Sequence, residues 1–273
     1  MIYKKISILG CGWLGLSLGK TLANSGYNVC GSTTDHEKLG EISSLNIEPY
    51  LIKFNPSVNN DFNNSFFNSD ILIINIPPKR REDIVSYHLK QFKSILDCIL
   101  KGEIKKVILV SSTSVYPNNN GEIDEKFIGV PEKNSGVALL QVENLLKEQK
   151  GFETTVLRFG GLIGYDRLPG RFLSGKSDIK NGSAPVNLIH RDDCIGIIQN
   201  IIENNHWGEV FNGVMPFHPS RSSFYIKAAE VEGMSLPVFC ETNDLNEFKI
   251  VLSTYLVERT AYCFKYNSPL EAL

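Results

Sequence analysis

Ile6-Ser7-Ile8-Leu9-Gly10-Cys11-Gly12-Trp13-Leu14-Gly15 decides the fold. A short β-rich run over residues 5–9 meets a GxGxxG loop. Leu14, Leu18 and Leu22 then recur at the spacing of one helix face, which predicts a helix over residues 14–25. Gly10 permits the tight turn, Gly12 lets the backbone approach a pyrophosphate with no Cβ in the way, and Gly15 lets the helix pack close to the strand. The first N–H groups of such a helix, at the positive end of its dipole, suit phosphate. The loop therefore predicts a Rossmann-type dinucleotide site, with Gly10, Cys11, Gly12, Trp13, Leu14 and Gly15 against the cofactor. Gly19-Lys20-Thr21 resembles the end of a P-loop, but that motif needs a glycine where Leu14 stands, and Lys20 is read as solvent-facing.

Outward from the loop, strand-like and helix-like segments alternate. Residues 27–32, 49–54, 70–76, 106–111 and 154–159 read as strands, and 83–100 and 135–149 as helices. The continuous apolar run over 70–76 suits a parallel strand covered on both faces. This alternation predicts an α/β chain, a doubly wound parallel sheet with helices on both faces. Ser32-Thr33-Thr34-Asp35 reads as a turn and helix start. After Gly160 the pattern changes. Residues 167–183 look irregular; Asp192-Asp193 reads as the cap of a helix over 194–202. A strand at 209–212, a helix at 222–232 and an apolar stretch at 248–256 follow. Residues 1–160 are read as the NAD(P)-binding domain, and 161–273 mainly as a substrate-binding region interleaved with its sheet.

Composition removes several function classes. The chain has 273 residues, 42% of them hydrophobic and 21% charged, enough for a substantial core. Its net charge of −2 and lack of a long one-sign run give no footprint for nucleic acid. Lys79-Arg80-Arg81 reads as a solvated loop or as a phosphate anchor. No apolar stretch is long enough to span a membrane, and the N-terminal one is too short for a signal peptide, so a cytoplasmic protein is expected. Six scattered cysteines without CxxC or zinc spacing predict reduced, buried thiols and no metal site. Asn63-Asn64-Ser65 matches the glycosylation pattern and is read as chance.

The end of the second strand bears on the dinucleotide. An acidic residue there binds the adenosine ribose hydroxyls of NAD. Here the segment is Ser32-Thr33-Thr34, and the acidic position falls at Thr33. A neutral hydroxyl removes repulsion against a 2′-phosphate, which favours NADP over NAD; the other reading is a helix cap only.

Three further segments, with the glycine loop, carry a resemblance. They are Val107-Ile-Leu-Val-Ser-Ser-Thr-Ser-Val-Tyr-Pro117, Leu157-Arg158-Phe159-Gly160-Gly161-Leu162-Ile163-Gly164, and Val186-Asn187-Leu188-Ile189-His190-Arg191-Asp192-Asp193. In order and spacing, over about residues 3 to 260, the chain resembles the extended short-chain dehydrogenase/reductase superfamily, the NAD-dependent epimerase/dehydratase family. With His218-Pro219-Ser220-Arg221 it is most similar to an atypical, YeeZ-like branch. The resemblance implies a seven-stranded parallel sheet with a small C-terminal substrate domain. It implies that Asn75, Ile76 and Pro77 pass the adenine-ribose side of the cofactor. It makes Ser112 the catalytic Ser/Thr, and puts Ser112, Thr113, Gly160 and His190 near the substrate. Arg158, at a strand's C-terminal edge, is the candidate for an anionic substrate group; Arg167 and Arg171 read as solvated.

Two departures stand out. The family's first loop glycine falls at Leu9, for which Gly10 compensates. The family's YxxxK pair falls on Ser135 and Leu139, so the usual acid/base and the ammonium that lowers its pKa are missing. Tyr116, and equally Tyr165, are the phenols within reach of a replacement role. His190 reads either as a proton-moving group or as a structural hydrogen-bonding residue.

Two functions follow. One is an oxidoreductase or epimerase/dehydratase-type enzyme on a small polar substrate, a nucleotide sugar among the candidates. The other is a non-catalytic NADP-binding protein that senses redox state. A small-molecule substrate is the expected partner, and a homodimer the oligomer such folds commonly form.

Overall fold

The central apolar run of the sequence becomes the central strand of the sheet. In the computed structural model, which describes residues 4–55, 64–240 and 247–273, the elements follow in chain order. They are β1 (Lys5–Leu9), α1 (Trp13–Asn24), β2 (Asn28–Thr33), α2 (Leu39–Ser44), β3 (Ile47–Leu51), β4 (Ile71–Ile74), α3 (Ile84–Lys101), β5 (Lys106–Ser112), β6 (Glu122–Ile123) and α4 (Asn134–Lys147). After them come β7 (Glu153–Phe159), β8 (Gly161–Ile163), β9 (Leu188–His190), α5 (Arg191–Asn204), β10 (Val210–Gly213), α6 (Arg221–Val231), β11 (Ile250–Val251) and α7 (Thr254–Thr260). Asn63, where the glycosylation pattern begins, lies outside the described residues.

The main sheet is parallel, with seven strands in the order β10-β7-β5-β4-β1-β2-β3. The expected α/β doubly wound architecture is therefore present. Every residue of β4 is fully buried, because β1 and β5 flank it and helices cover such a parallel sheet. From β1 the chain winds outward through β2 to β3, then returns to β4 on β1's other side and winds the opposite way. The order thus reverses between β1 and β4, and ligands of open α/β sheets bind at such a switch point. Gly10 follows β1 there, and Asn75 follows β4.

Most boundaries agree with the sequence within two residues, and the differences have local causes. β3 lies at Ile47–Leu51 rather than 49–54, because its register is set by pairing with Val29–Thr33. Pro49 is tolerated on this edge strand. The apolar stretch at 248–256 divides into β11, paired with β6, and the start of α7. α5 begins at Arg191, so Asp192 and Asp193 lie in its first turn rather than capping it. Their carboxylates still suit the helix dipole. The cysteines are free, but Cys263 is exposed, against the expectation of buried thiols.

The chain divides into two compact units. The first comprises Met1–Val115, Lys133–Arg158 and Ile198–Val210; the second comprises Tyr116–Glu132, Phe159–Ile197 and Phe211–Leu273. In the first, Phe66, Phe67 and Phe92 pack with Leu72, Ile74, Leu109 and Val156 from the strands and Val142 and Leu146 from α4. The second has a smaller core of Ile163, Val186, Leu188, Met215 and Phe224, to which β8 and β9, paired in parallel, contribute. No described helix is long and apolar enough to cross a membrane.

Candidate functional site

The glycine loop is fixed from both neighbouring strands. Gly10 N–H donates to Ser32 Oγ (3.0 Å), Cys11 N–H to Ser32 O (2.7 Å), and Asn75 Nδ2 to Gly10 O (3.2 Å). Gly10 has φ +110°, and a Cβ there would stand 2.6 Å from Asn75 O. At Gly15 a Cβ would stand 2.2 Å from Gly10 O, so these two glycines serve the chain's own packing. Gly12 differs. Its φ of −86° and ψ of −153° are open to any residue, and a Cβ would meet nothing within 4 Å. The space beside it is the cradle a side chain would fill. α1 begins at this point with no side-chain cap and no acidic residue in its first turn, which leaves its positive end suited to an anion. Trp13 and Leu14 open that turn.

Ser32 therefore shapes the loop with its side chain, and the Cys11 N–H is committed to it. The Cys11 thiol is buried, which pushes its pKa up to about 12. Thr33 ends β2 nearly buried, its Oγ1 accepting from Asp35 N–H (3.1 Å), while Thr34 is exposed. β2 itself carries no carboxylate, and Asp35 is the first acidic residue after it. His36 and Lys38, both exposed, follow in a short 3₁₀ turn capped by Asp35. At the end of β4, Asn75 and Ile76 are half-buried and Pro77 is exposed.

Beyond β5, Ser112 is half-buried and its Oγ accepts from Ser114 N–H (3.2 Å); Thr113 is buried. Ser135 is half-buried at the start of α4, and Leu139, one turn on, is 4% exposed in the core. Glu143, the next residue of the same helix face, is wholly buried. Its carboxylate accepts from Ser111 Oγ (2.6 Å) and from Arg158 Nη2 (2.6 Å) and Nε (3.1 Å). Arg158, the sequence's candidate for an anionic substrate group, is instead only 6% exposed and turned onto Glu143. The reason is geometric: it points inward from β7, where a buried guanidinium requires a counter-charge.

In the second unit, Tyr116 is buried and donates to Asn212 Oδ1 (2.8 Å), which is not the setting of an exchanging acid. Gly160 has a Cβ position 2.7 Å from Asn187 O, a close approach of two backbones. His190 is 4% exposed, and its Nδ1 accepts from Asp192 N–H (3.2 Å), so the imidazole closes the first turn of α5. Its ring lies between Tyr165 (5.3 Å) and Tyr266 (4.6 Å). Burial lowers its pKa, outweighing the nearby Asp192 and Asp193, so the ring is neutral near pH 7. Asp192 accepts from Tyr165 Oη (2.7 Å) and from Lys265 Nζ, and Asp193 from Tyr262 Oη (3.0 Å) and Lys265 N–H (2.7 Å). The bond to Asp192 raises the Tyr165 pKa, the opposite of what a working acid requires.

Comparison with known proteins places this geometry. Residues 4–145 match the model of the UDP-glucose/GDP-mannose dehydrogenase family, NAD binding domain. Protein YeeZ of Escherichia coli (strain K12) is 32% identical over 269 residues, 98% of each chain. The chain belongs to the YeeZ-like branch of the extended short-chain dehydrogenase/reductase superfamily. The fold of this YeeZ-like protein is shared more widely. A UDP-glucuronic acid 4-epimerase from Bacillus cereus, in complex with UDP-glucuronic acid and NAD, superposes with a TM-score of 0.79 at 20% identity, over 98% of this chain and 96% of the other. The human epimerase family protein SDR39U1, with NADPH, gives 0.72 at 17% identity, over 98% and 97%.

Within the YeeZ-like chain, sequence reasoning missed Glu143, Ser111 and the side-chain roles of Ser32 and Asn75. Glu143 had a signal: it breaks the apolar face of Leu139, Val142 and Leu146, just as Arg158 interrupts the apolar strand Thr155-Val156-Leu157. Two opposite charges inside buried stripes imply each other.

Proposed function

We propose that this YeeZ-like protein is a nicotinamide-dinucleotide-dependent enzyme of the oxidoreductase or epimerase/dehydratase type. It prefers NADP and acts on a small polar substrate bearing a carbinol or carbonyl carbon. The observation that carries the reading is Gly12, a glycine that neither backbone conformation nor packing within the protein requires. A ligand that approaches the backbone there accounts for it.

A bound nicotinamide dinucleotide supplies or accepts the hydride. The chain's own parts do the rest. The opening N–H groups of α1 hold the phosphates, while Ser32 and Asn75 keep the loop in the shape that presents them. Thr33 closes β2 without a carboxylate of its own, which removes the repulsion against a 2′-phosphate that an acidic residue at that position would bring. Ser112 accepts from Ser114 N–H, which leaves its own proton to donate to a substrate oxygen. The Bacillus cereus epimerase, solved with UDP-glucuronic acid and NAD, supports a nucleotide sugar as the substrate class.

Leu139 favours a second reading. A core leucine where the family places its lysine fits a dinucleotide-binding protein that senses redox state without turnover. Incubation with NADPH and a panel of carbonyl compounds, nucleotide-4-ketosugars included, separates the two. The enzyme reading expects NADPH oxidation with at least one compound and a loss of about 10²-fold in kcat for Ser112→Ala. Tight NADPH binding with no turnover across the panel selects the sensor.

A further inference from the structure

The His218-Pro219-Ser220-Arg221 motif has no role in the proposed dinucleotide chemistry. Three of its residues have structural duties. Pro219 O accepts from Val186 N–H (3.0 Å), Ser220 caps α6 by accepting from Ser223 N–H (3.2 Å), and Arg221 Nη1 donates to Lys180 O (3.1 Å). His218 lines a cavity of about 300 Å³ within the second unit. Pro216, Leu252, Val257 and Phe264 form its apolar wall, and no glycine-loop residue contributes to it.

The polar equipment of this cavity is small and specific. His218 Nδ1 lies 3.1 Å from Val186 O, which can only accept. Nδ1 therefore carries the proton, and Nε2 presents a lone pair. Burial lowers the His218 pKa and outweighs the opposing bond to Val186 O and the nearby Glu122, so the ring stays neutral. Ser253 also lines the cavity, but its Oγ accepts from Val214 N–H (2.8 Å) and donates to Val214 O (3.0 Å). Its one proton is committed inside the protein, so it has none to donate to a ligand. The exposed Thr254 hydroxyl supplies the remaining polar group. Among the described residues no charged side chain lines the cavity, so an ionic ligand would lose hydration without a counter-charge. The volume is at the small end of the range for small-molecule sites, about 300–1,000 Å³.

We propose that this cavity binds a small uncharged molecule with an apolar body and one hydroxyl group, the hydroxyl donating to His218 Nε2 and accepting from Thr254. A hydroxyl is the compact group that does both. An ether or ketone offers nothing to Nε2, and a hydrocarbon leaves both polar groups unpaired.

Titration of the full chain with phenol, toluene and benzoate, followed by ligand-observed NMR, tests this. Phenol binds about tenfold or more tightly than toluene, and benzoate more weakly than both. His218→Phe brings phenol down to the level of toluene. Thr254→Val, at an exposed position, weakens phenol about fivefold and leaves toluene unchanged. Val257→Trp, which fills the cavity from its rim, excludes both, and Gly12→Val leaves phenol binding intact. The proposal is overturned if phenol does not bind, if phenol and toluene bind alike, if benzoate binds best, or if Thr254→Val and Val257→Trp bind phenol as the parent does. The last two variants keep the test decisive should His218→Phe fail to fold.

Discussion

Glu143 of α4 and Arg158 of β7 form a buried ion pair, closed at 2.6 Å between Oε2 and Nη2, and the same carboxylate holds Ser111 of β5. Three elements are thereby tied together at Ser111, the residue before Ser112. Removing one partner strands the other charge in the core. Glu143→Ala is therefore expected to destabilise the protein by about 3–5 kcal/mol. Glu143→Leu combined with Arg158→Met recovers most of that loss, because an apolar pair of similar volume avoids the desolvation cost. Urea denaturation of the three proteins checks this.

The glycines of the loop divide by what surrounds them. Gly15→Ala pushes a Cβ onto Gly10 O, a rigid backbone atom, and is expected to lower stability by about 1–3 kcal/mol. Gly12→Val meets open space and gives up only the preference for glycine at a helix N-cap, so it costs no more than about 1 kcal/mol of stability while lowering dinucleotide affinity at least tenfold. Thermal denaturation and a binding titration on the same samples separate the two effects.

Thr33 closes β2 where a carboxylate would favour NAD. Thr33→Asp places a negative charge at that strand end, and is expected to shift the ratio of NADPH to NADH affinity at least tenfold toward NADH. Parallel titrations with the two dinucleotides measure the ratio.

His88 carries a pH dependence that is separate from the site. It is almost wholly buried on α3, packs edge-on against Phe92, and bonds through Nδ1 to Gln91 Oε1. Burial pulls its pKa from 6.5 down to about 4. Between those values the unfolded chain binds the proton and the folded one does not. Stability is thus fully present above pH 6.5, falls as the pH drops, and levels off below about 4. The loss is about 3 kcal/mol. Chemical denaturation across this window shows the slope in the parent, and His88→Leu flattens it.

The sequence made the sheet legible because each of its signals is local. The glycine loop, the apolar run Ile71-Leu72-Ile73-Ile74 and the leucine spacing of α1 each report one element within a few residues. The turn glycines at 10 and 15 were readable for the same reason. What stayed hidden depends on neighbours far apart in the chain. Ser32 reaches Gly10 across 22 residues, and Asn75 reaches it across 65. Arg158 looked like a surface recognition group because its position at a strand end was visible and its inward direction was not. Asp192 and Asp193 read as caps for a similar reason: their partners Tyr262 and Lys265 lie about 70 residues on, at the C-terminal end.

The claim on which the functional reading rests is that the glycine loop holds a nicotinamide dinucleotide. Calorimetric titration of the purified chain, stripped of nucleotide, with NADPH and with NADH tests it most directly. Saturable binding of both is expected, NADPH the tighter, with loss of both in Gly12→Val. Binding of neither dinucleotide by a folded protein would contradict it.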